Sequence, residues 1–391
     1  MRVLFIHNQY QQPGGEDVAV SMEAELLREK GHEVRTVVFQ NTDASGGIDQ
    51  LDMARRAIYN PASYRRVWNE IKDFGPEIIH VHNLFFVASP ALLYAAKKLN
   101  VPVILTLHNF RLICANALLL RNGHACELCV HQTLPISGIR YKCYRNSMAA
   151  SALVTAITGI HKILGTWNKK INRFILLTEF SKSRFVNSSL KVPEKKLVVK
   201  PNFVPDPGVG MQDREDFFLF AGRLSPEKGI NILLQAFADL PQQRLVVIGE
   251  GPELESATAR FMKTSNIIFK GRLEKDEVMS YMKRCAALIF PSTWYEGLPF
   301  VIIEAFATGT PVITSRLGSM AELIENGVNG FHFEAGNVRD LQQKINLYLQ
   351  IGAEERRMLH TKARAAYLNH YQPGIHYQTI LQIYEDVIAE K

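Results

Sequence analysis

Residues 286–310, AALIFPSTWYEGLPFVIIEAFATGT, decide the fold predicted for this chain of 391 residues. The apolar run 287–290 has the length and composition of a buried strand. A loop follows, and Pro299 is predicted as the first residue of a helix over 300–307, because proline's fixed φ and missing N–H suit that position. The stretch therefore predicts a strand, a loop and a helix, as found in open α/β sheets.

Two carboxylates within this stretch point to a ligand site. Glu296 lies in the loop at the carboxyl end of the predicted strand, the edge at which open α/β sheets bind ligands. Glu304 is the single charged residue of an otherwise apolar helix, where an unpaired carboxylate is unfavourable. The helix N-terminus offers N–H groups to an anion, and carboxylates accept hydrogen bonds from sugar hydroxyls. A nucleotide sugar fits this pattern; the alternative is a Glu304 paired with a structural Arg or Lys and a merely exposed Glu296.

A second loop, GRLSPEKG at residues 222–229, joins a predicted strand over 217–221 to a predicted helix over 230–238. Arg223 and Lys228 lie five residues apart on this turn, where a diphosphate would bind. Arg can hold it with two donors, and Lys adds a point charge. The alternative is a pair of solvated surface charges.

The spacing of Glu296 and Glu304 within EGLPFVIIEAFATGTPVI, together with GRLSPEKG, resembles the retaining glycosyltransferases of family four. The resemblance covers nearly the whole chain and is strongest over residues 218–331. It implies the α/β fold called GT-B, in which two Rossmann-like domains face each other across a cleft. A final amphipathic helix over 375–389 would cross back onto the first domain.

The resemblance also gives a domain division. The segment PNFV at residues 201–204 is similar to the family's domain junction. The N-terminal, acceptor-binding domain would comprise residues 1–200 plus about 373–391. The C-terminal domain, residues 201–372, would bind the nucleotide sugar.

The family's site residues carry over onto matching positions. The segment TLHNF places His108 where the family's histidine reaches the transferred sugar, although Asn109 stands where many relatives have Asp. Arg223 and Lys228 would stabilise the charge on the leaving diphosphate, Glu304 would hold the ribose and Glu296 the donor sugar. The predicted catalytic residues are His108, Arg223, Lys228 and Glu296, and the predicted donor-binding residues are Gly14, Gly15, Asn202, Arg223, Lys228, Gly271, Leu273, Glu296, Gly297, Leu298, Pro299, Phe300 and Glu304. No D-x-D occurs near a strand end, so no catalytic metal is expected.

Four cysteines form the pattern C-x11-C-x2-C-x13-C, namely Cys114, Cys126, Cys129 and Cys143. The central C-x2-C has zinc-knuckle spacing, and four thiolates would complete a tetrahedral structural zinc site. The alternative is a set of free buried thiols. Disulfides are not expected in a cytosolic protein.

The charge is unevenly distributed along the chain. Residues 1–200 contain 26 Lys and Arg against 15 Asp and Glu, whereas the whole chain has a net charge of +7. A basic first half favours an anionic partner. With no signal peptide and no spanning segment in the sequence, we expect a cytoplasmic protein, peripheral at the inner face of the membrane. Its acceptor would be a lipid-linked glycan in bacterial surface polysaccharide assembly, or alternatively a soluble small acceptor.

Two other functions are open to the sequence. A nucleotide-sugar epimerase or hydrolase of GT-B-like fold would need no acceptor. A basic nucleic-acid-binding protein would use the first half, but the chain has no recognised nucleic-acid module, so we expect no nucleic-acid partner.

Overall fold

A computed structural model describes residues 1–9, 14–41 and 50–390. The sequence also predicts a loop over residues 8–15, which lies partly outside the described residues. The described elements are β1 (Arg2–Gln9), α1 (Gly15–Glu29), β2 (Glu33–Gln40), α2 (Gln50–Ile58), α3 (Pro61–Phe74), β3 (Ile78–Val81), α4 (Ala91–Lys98), β4 (Val103–Leu107), β5 (Leu120–Arg121), β6 (His124–Ala125), α5 (Ile136–Arg140), α6 (Met148–Ile163), α7 (Thr166–Lys170), β7 (Arg173–Leu176), α8 (Glu179–Val186), β8 (Leu197–Val199), β9 (Glu215–Ala221), α9 (Ile230–Ala238), β10 (Arg244–Ile248), α10 (Leu254–Phe261), β11 (Ile267–Gly271), α11 (Lys275–Arg284), β12 (Cys285–Phe290), α12 (Phe300–Ala307), β13 (Val312–Ser315), α13 (Ser319–Leu323), β14 (Gly330–Phe333), α14 (Val338–Gln350), α15 (Ala353–His370) and α16 (Pro373–Ala389).

The chain divides into two compact units. The first comprises Met1–Leu119, Cys126–Asn202 and His376–Lys391, and the second comprises Leu120–Ala125 and Phe203–Ile375. The chain leaves the first unit after Asn202, close to the junction predicted from PNFV.

The first unit is built on a parallel sheet in the strand order β2-β1-β3-β4-β7-β8. Helix α1 packs on it through apolar residues spaced three or four apart, Val20, Ala24 and Leu27. The same core includes Ile380 and Tyr384 of α16. The prediction that the C-terminal helix returns to the first domain is therefore confirmed.

The second unit contains a parallel sheet in the order β11-β10-β9-β12-β13-β14. Strand β12 is buried along its whole length, as its apolar sequence predicts. After β9 the chain adds β10 and β11 on one side, and then crosses to place β12 on the other. The chain therefore changes direction across the sheet between the neighbouring strands β9 and β12. Sheets of this kind bind ligands at such a topological switch point.

Three element predictions were wrong in detail. The sequence predicts that residues 318–325 help to complete the sheet, but the strand at this point is β13 (Val312–Ser315), and Ser319–Leu323 is helical. The sequence also predicts one long helix over 147–166, but α6 ends at Ile163, because Gly165 adopts a left-handed φ of 66° before α7. Pro299 precedes α12 as its N-cap, with an extended ψ of 117°, and is not the first helical residue.

Within the described ranges, no helix combines the length and the apolar content needed to cross a bilayer.

Candidate functional site

The loops after β9 and β12 are locked to each other at the switch point of the second unit. The backbone N–H of Thr293 donates to the Glu227 carbonyl at 2.9 Å, and Thr293 Oγ1 donates to the same oxygen at 3.3 Å. Gly229 has a φ of 72°, and a Cβ there would overlap the Pro291 carbonyl oxygen. Helix α9 therefore begins against the end of β12, and only glycine fits that contact.

This packing brings two of the predicted catalytic residues together. Lys228 Nζ donates to Glu296 Oε1 at 2.7 Å. The same oxygen accepts hydrogen bonds from Ser292 Oγ at 2.8 Å and from Trp294 Nε1 at 2.7 Å. Glu296 is only 7% exposed, so these charge-assisted bonds hold it in one orientation. All three bonds from described residues converge on Oε1, which leaves Oε2 as an acceptor.

Glu304 lies on the more exposed side of α12 and is half-buried, whereas Ile302, Ile303 and Phe306 are buried. Burial raises the pKa of the Glu304 carboxyl, and Lys275 opposes that shift only in part. No described residue forms a salt bridge or a hydrogen bond with this carboxylate. The alternative of a structurally paired Glu304 is therefore not supported, and the group is available to a ligand.

The other predicted residues of the second unit lie at or just after the ends of β9, β11 and β12. Arg223 is exposed in the loop after β9, and its side chain has no hydrogen bond or salt bridge to a described residue. Gly297, Leu298 and Pro299 lead into the N-terminus of α12 at Phe300. Gly271 ends β11 with a φ of 65°, two residues before Leu273. Asn202, by contrast, belongs to the first unit and not to the second.

In the first unit, His108 follows β4 and contacts His82, which follows the neighbouring β3. His82 Nδ1 lies 3.1 Å from His108 Nε2, and the two rings are stacked with centroids 5.4 Å apart. His82 is buried, whereas His108 remains partly exposed. Burial lowers the pKa of His108 to about 3, so its ring is neutral at neutral pH.

A buried carboxylate, Glu23 of α1, lies behind this histidine pair. Its Oε2 accepts from Lys200 Nζ at 2.6 Å and from His376 Nε2 at 2.7 Å. Its Oε1 lies 3.0 Å from His80 Nδ1 and 3.7 Å from His82 Nε2. Burial works to raise the pKa of Glu23, but Lys200 and the histidine contacts outweigh it and hold that pKa well below its ordinary value. Glu23 is therefore ionised.

An ionised Glu23 favours one proton arrangement in the histidine pair. A proton on His82 Nε2 faces Glu23 Oε1, whereas a lone pair there would face a carboxylate in a buried site. His82 Nδ1 then accepts the Nε2 proton of His108. His108 is left with a bare Nδ1, which can accept a hydrogen bond from a sugar hydroxyl.

The first glycine pair lies at the start of α1. Gly14 is the N-cap residue and its backbone N–H donates to Asp17 Oδ2 at 2.8 Å, while Gly15 is the first helical residue. Asp17 also contacts His7 Nε2 at 2.8 Å. Asn109 Oδ1 accepts the Arg111 backbone N–H at 3.0 Å, and Asn109 Nδ2 donates to Glu16 Oε2 at 3.4 Å. This amide therefore links its own loop to helix α1, and His82 contacts the His108 ring.

The structure does not support the zinc site predicted from Cys114, Cys126, Cys129 and Cys143. A metal site needs at least three potential ligand atoms close together. In the described parts of the chain, one group of His, Cys, Asp or Glu side chains has its ligand atoms within 4.8 Å of one another, and that group includes none of the four cysteines. Cys114 Sγ instead donates to Asn116 Oδ1 at 2.9 Å. Burial, with Cys114 and Cys143 nearby, raises the pKa of Cys129 to about 11, which favours a thiol over a metal-binding thiolate.

The group whose potential ligand atoms do lie within 4.8 Å of one another consists of Glu23, His80 and His82. Lys200 already neutralises Glu23 with a buried ammonium at 2.6 Å. A divalent cation added there would leave uncompensated positive charge in a buried site, which is strongly unfavourable. These residues therefore fit a hydrogen-bond network better than a metal centre.

Several residues around Glu296 and His108 are not among those predicted from the sequence. Glu23 could have been identified from the sequence, because a charged residue interrupts the apolar stripe of α1 between Val20 and Leu27. Ser292 and Trp294 lay within the quoted stretch, but nothing in their spacing indicated that both donate to Glu296. Lys200 is 177 positions from Glu23 in the chain, and its role depends on the fold.

Comparison with known proteins identifies the family of this chain. A profile described as Glycosyltransferase Family 4 matches residues 13–206, and one described as Glycosyl transferases group 1 matches residues 207–366. An uncharacterised glycosyltransferase of Methanocaldococcus jannaschii is 28% identical over 316 residues, covering 80% of this chain and 75% of that protein. A lipopolysaccharide 1,2-N-acetylglucosaminetransferase of Salmonella typhimurium is 28% identical over 183 residues, covering 43% of this chain and 46% of that protein.

Among solved structures, the Anabaena protein Alr3699/HepE in complex with UDP matches with a TM-score of 0.71. It is 18% identical, and the match covers 99% of this chain and 100% of that one. At this identity the likeness concerns the fold. Since the two profiles together extend over residues 13–366 and the fold agrees along the whole length, this chain belongs to the family-four glycosyltransferases of the GT-B fold, which take their sugar from a nucleotide sugar.

Proposed function

We propose that this enzyme transfers a sugar from a nucleotide diphosphate sugar to a hydroxyl of a lipid-linked glycan, with retention of anomeric configuration. The observation that carries the proposal is the Lys228–Glu296 pair at 2.7 Å, held between two loops at the switch point of the second unit. Such a site offers a cation to the diphosphate and a fixed carboxylate oxygen to the donor sugar. The UDP in the Anabaena structure supports a nucleoside diphosphate as the leaving group.

Each group at the donor site has a separate task in this proposal. Lys228, Arg223 and the N-terminus of α12 stabilise the negative charge that grows on the leaving diphosphate. Glu296 Oε2 accepts a hydrogen bond from the donor sugar, and Glu304 accepts the ribose hydroxyls. The departing phosphate takes up the proton of the acceptor hydroxyl, so that the new bond forms on the face that the phosphate leaves.

His108, which belongs to the first unit, acts on the sugar in this proposal. Its neutral ring and bare Nδ1 accept a hydrogen bond from a hydroxyl of the transferred sugar. The ionised Glu23, whose Oε1 lies 3.7 Å from His82 Nε2, favours this tautomer. Gly14 and Gly15 lie at the N-terminus of α1 and allow a close approach of backbone to substrate.

The lipid-linked acceptor rests on charge and on one relative. The first 200 residues are strongly basic, and the exposed apolar side chains of Ile136 and Met148 lie close in sequence to the exposed Arg140 and Lys142. Such a combination suits reversible attachment to an anionic membrane surface. The similar Salmonella protein acts on lipopolysaccharide, which supports a role in surface polysaccharide assembly at the inner face of the membrane.

No catalytic metal enters this proposal, because Arg223, Lys228 and a helix N-terminus supply the positive charge. Transfer should therefore continue in excess EDTA. Loss of activity on chelation, restored by a divalent ion, would contradict that part of the mechanism.

A panel of nucleotide sugars tests the function directly. We expect release of a nucleoside diphosphate from at least one donor, with faster release when a lipid-linked acceptor is added, and a product whose anomeric configuration equals that of the donor by NMR. Acceptor-independent epimerisation of the donor, with no transfer product, would instead identify an epimerase.

A further inference from the structure

A cavity of about 310 Å³ lies in the first unit beside His108. The residues that line it include His82, His108, Arg111, Tyr144 and Arg145. The cavity therefore lies against the one first-unit side chain to which the sugar chemistry is assigned. A space of this size accommodates a sugar ring or a phosphorylated group.

The two arginines give the cavity a strong preference for anions. Arg111 Nη1 donates to the Ala115 carbonyl at 2.6 Å, but neither Arg111 nor Arg145 forms a salt bridge with any described carboxylate. The described lining residues include no Asp and no Glu. Two guanidinium groups without a counter-ion at one cavity leave their charge to be matched by a ligand.

Aromatic side chains hold both guanidinium groups in place. Arg111 Cζ lies 4.8 Å and Arg145 Cζ 5.5 Å from the centroid of the Tyr144 ring. Phe86 packs against the same ring, with centroids 5.8 Å apart. Stacking of this kind limits the motion of the arginines and leaves their N–H groups available.

We infer that this cavity binds the phosphate of a phosphorylated acceptor, with the phosphate held between Arg111 and Arg145 and the acceptor sugar extending toward His108. Planar guanidinium groups bind phosphate oxygens through paired N–H donors, which two arginines on one ring can offer together. The position of the sugar rests on the role proposed for His108, whereas the phosphate site rests on the cavity alone.

The same chemistry has two sources. A lipid-linked acceptor carries a pyrophosphate between lipid and sugar, and a soluble sugar 1-phosphate carries a single phosphate. The cavity recognises the phosphate in both, and a transfer assay with each acceptor distinguishes them.

Binding of inorganic pyrophosphate tests the site without any acceptor. The full chain carrying Arg223→Ala and Lys228→Ala removes the competing donor loop, so that calorimetric titration reports on the cavity. Adding Arg145→Gln should weaken pyrophosphate binding about tenfold or more, the usual effect of losing a charged hydrogen bond. Arg111→Gln should weaken it as well, although that variant also loses the bond to Ala115.

Lys191→Gln is a matched control for Arg145→Gln. Both residues are exposed and basic, and both have a left-handed φ, 51° and 53° respectively, but Lys191 does not line the cavity. Lys191→Gln should leave the affinity for pyrophosphate unchanged. Pyrophosphate affinities of the Arg145→Gln and Arg111→Gln proteins that equal that of the Arg223/Lys228 background, or no pyrophosphate binding in that background, would overturn the inference.

The transfer assay separates this inference from the proposed function. In otherwise wild-type enzyme, Arg145→Gln should raise the KM for the phosphorylated acceptor about tenfold and leave the KM for the nucleotide sugar unchanged. A raised donor KM with an unchanged acceptor KM would overturn the assignment to the acceptor. Pyrophosphate binding that depends on Arg145, in a protein that releases no nucleoside diphosphate from any donor, would keep the phosphate site and refute the glycosyltransfer proposal.

Discussion

Glu296 is the residue on which the donor site converges. Three donors from Lys228, Ser292 and Trp294 meet its Oε1, so its orientation is fixed before any substrate binds. A carboxylate held in this way loses little freedom when a ligand hydroxyl reaches Oε2. Preorganisation of this kind lets binding energy act on the transition state.

Removing the cations of the donor loop should weaken donor binding and leave the fold intact. We expect Lys228→Ala and Arg223→Ala each to lose about 1.5–3 kcal/mol of donor binding, or about tenfold to a hundredfold in affinity. Titration of the nucleotide sugar measures this loss. Lys263→Ala, at an exposed position of the second unit, is the control and should bind the donor normally. If both loop variants bind the donor with normal affinity, the proposal that this loop binds the diphosphate is refuted.

Glu304→Gln should separate stability from function. Because burial raises the pKa of this unpaired carboxyl, the neutral amide avoids part of the desolvation of the charged form. We expect a Tm equal to or slightly above that of the wild type, with weaker donor binding through the ribose. Calorimetry and donor titration on the same protein test both effects. A lowered Tm with unchanged donor affinity would indicate a structural role instead.

At the scale of elements, Gly229 connects helix α9 to strand β12. Gly229→Ala combines a left-handed backbone with an overlap against the Pro291 carbonyl, and should cost about 2–5 kcal/mol of stability. Gly327→Ala is the matched control, because Gly327 has a φ of 79° but open space around its Cβ position. That variant should lose only about 1–2 kcal/mol. Equal losses of unfolding free energy in urea would show that the contact with Pro291 is unimportant.

The elements that the sequence predicted well are those with an unambiguous pattern. The sequence predicts a strand over 103–107 and a helix over 230–238, and β4 and α9 have these bounds, because each apolar run begins after a proline or a glycine and ends at a polar residue. Helix α13 was missed because its five residues are too few to establish a period. Gly165 was read as part of a helix because a glycine inside an apolar run does not reveal its own φ.

The candidate site was predictable where the chain itself brings residues close. Lys228 and Glu296 could be predicted as site residues because each lies in a loop at the end of a strand. The order of the elements along the chain gives the position of both loops. Glu23 and His82 are far apart in the sequence, and their contact depends on which strands are neighbours in the sheet. The four cysteines have a spacing typical of zinc sites. In the folded loop, however, Cys114 Sγ donates to Asn116 Oδ1, a contact that the spacing does not reveal.

On the scale of the whole molecule, buried histidines should make stability depend on pH. Burial lowers the pKa of His80, His82 and His376 below the ordinary 6.5, so these rings stay neutral in the folded protein. An unfolded chain takes up protons there as the pH falls through 6.5. Each histidine should therefore lose up to about 2 kcal/mol of stabilisation between pH 6.5 and 5.

Glu23 adds a second loss at lower pH. Its pKa is lowered in the folded protein, so the stability that it contributes is present above the ordinary 4.5 and disappears as the pH falls further. Calorimetry should show Tm falling from pH 7 to 5 and more below that. His82→Gln should reduce the slope between pH 7 and 5, and His131→Gln, at an exposed position, should not. A Tm independent of pH in this range would contradict the assignment.

The proposed membrane attachment is a property of the whole basic surface. The protein should float with phosphatidylglycerol vesicles at low salt and detach as sodium chloride is added, because salt screens exposed charges. Arg140→Gln combined with Lys142→Gln should reduce flotation. The matched pair Arg260→Gln and Lys263→Gln, at exposed positions of the second unit, should not. Failure to float at low salt, with efficient transfer to a soluble acceptor, would refute membrane attachment.

The return of α16 to the first unit determines the order in which the two units can mature during synthesis. Residues Phe203–Ile375 form the second unit, and they leave the ribosome before Ile380, Tyr384 and Val387 complete the core beneath β1. The second unit can therefore finish folding while the first still exposes an unfilled apolar surface on its sheet. A nascent chain arrested near residue 375 should expose that surface to chaperones, although about two hundred residues of the first unit have already been made.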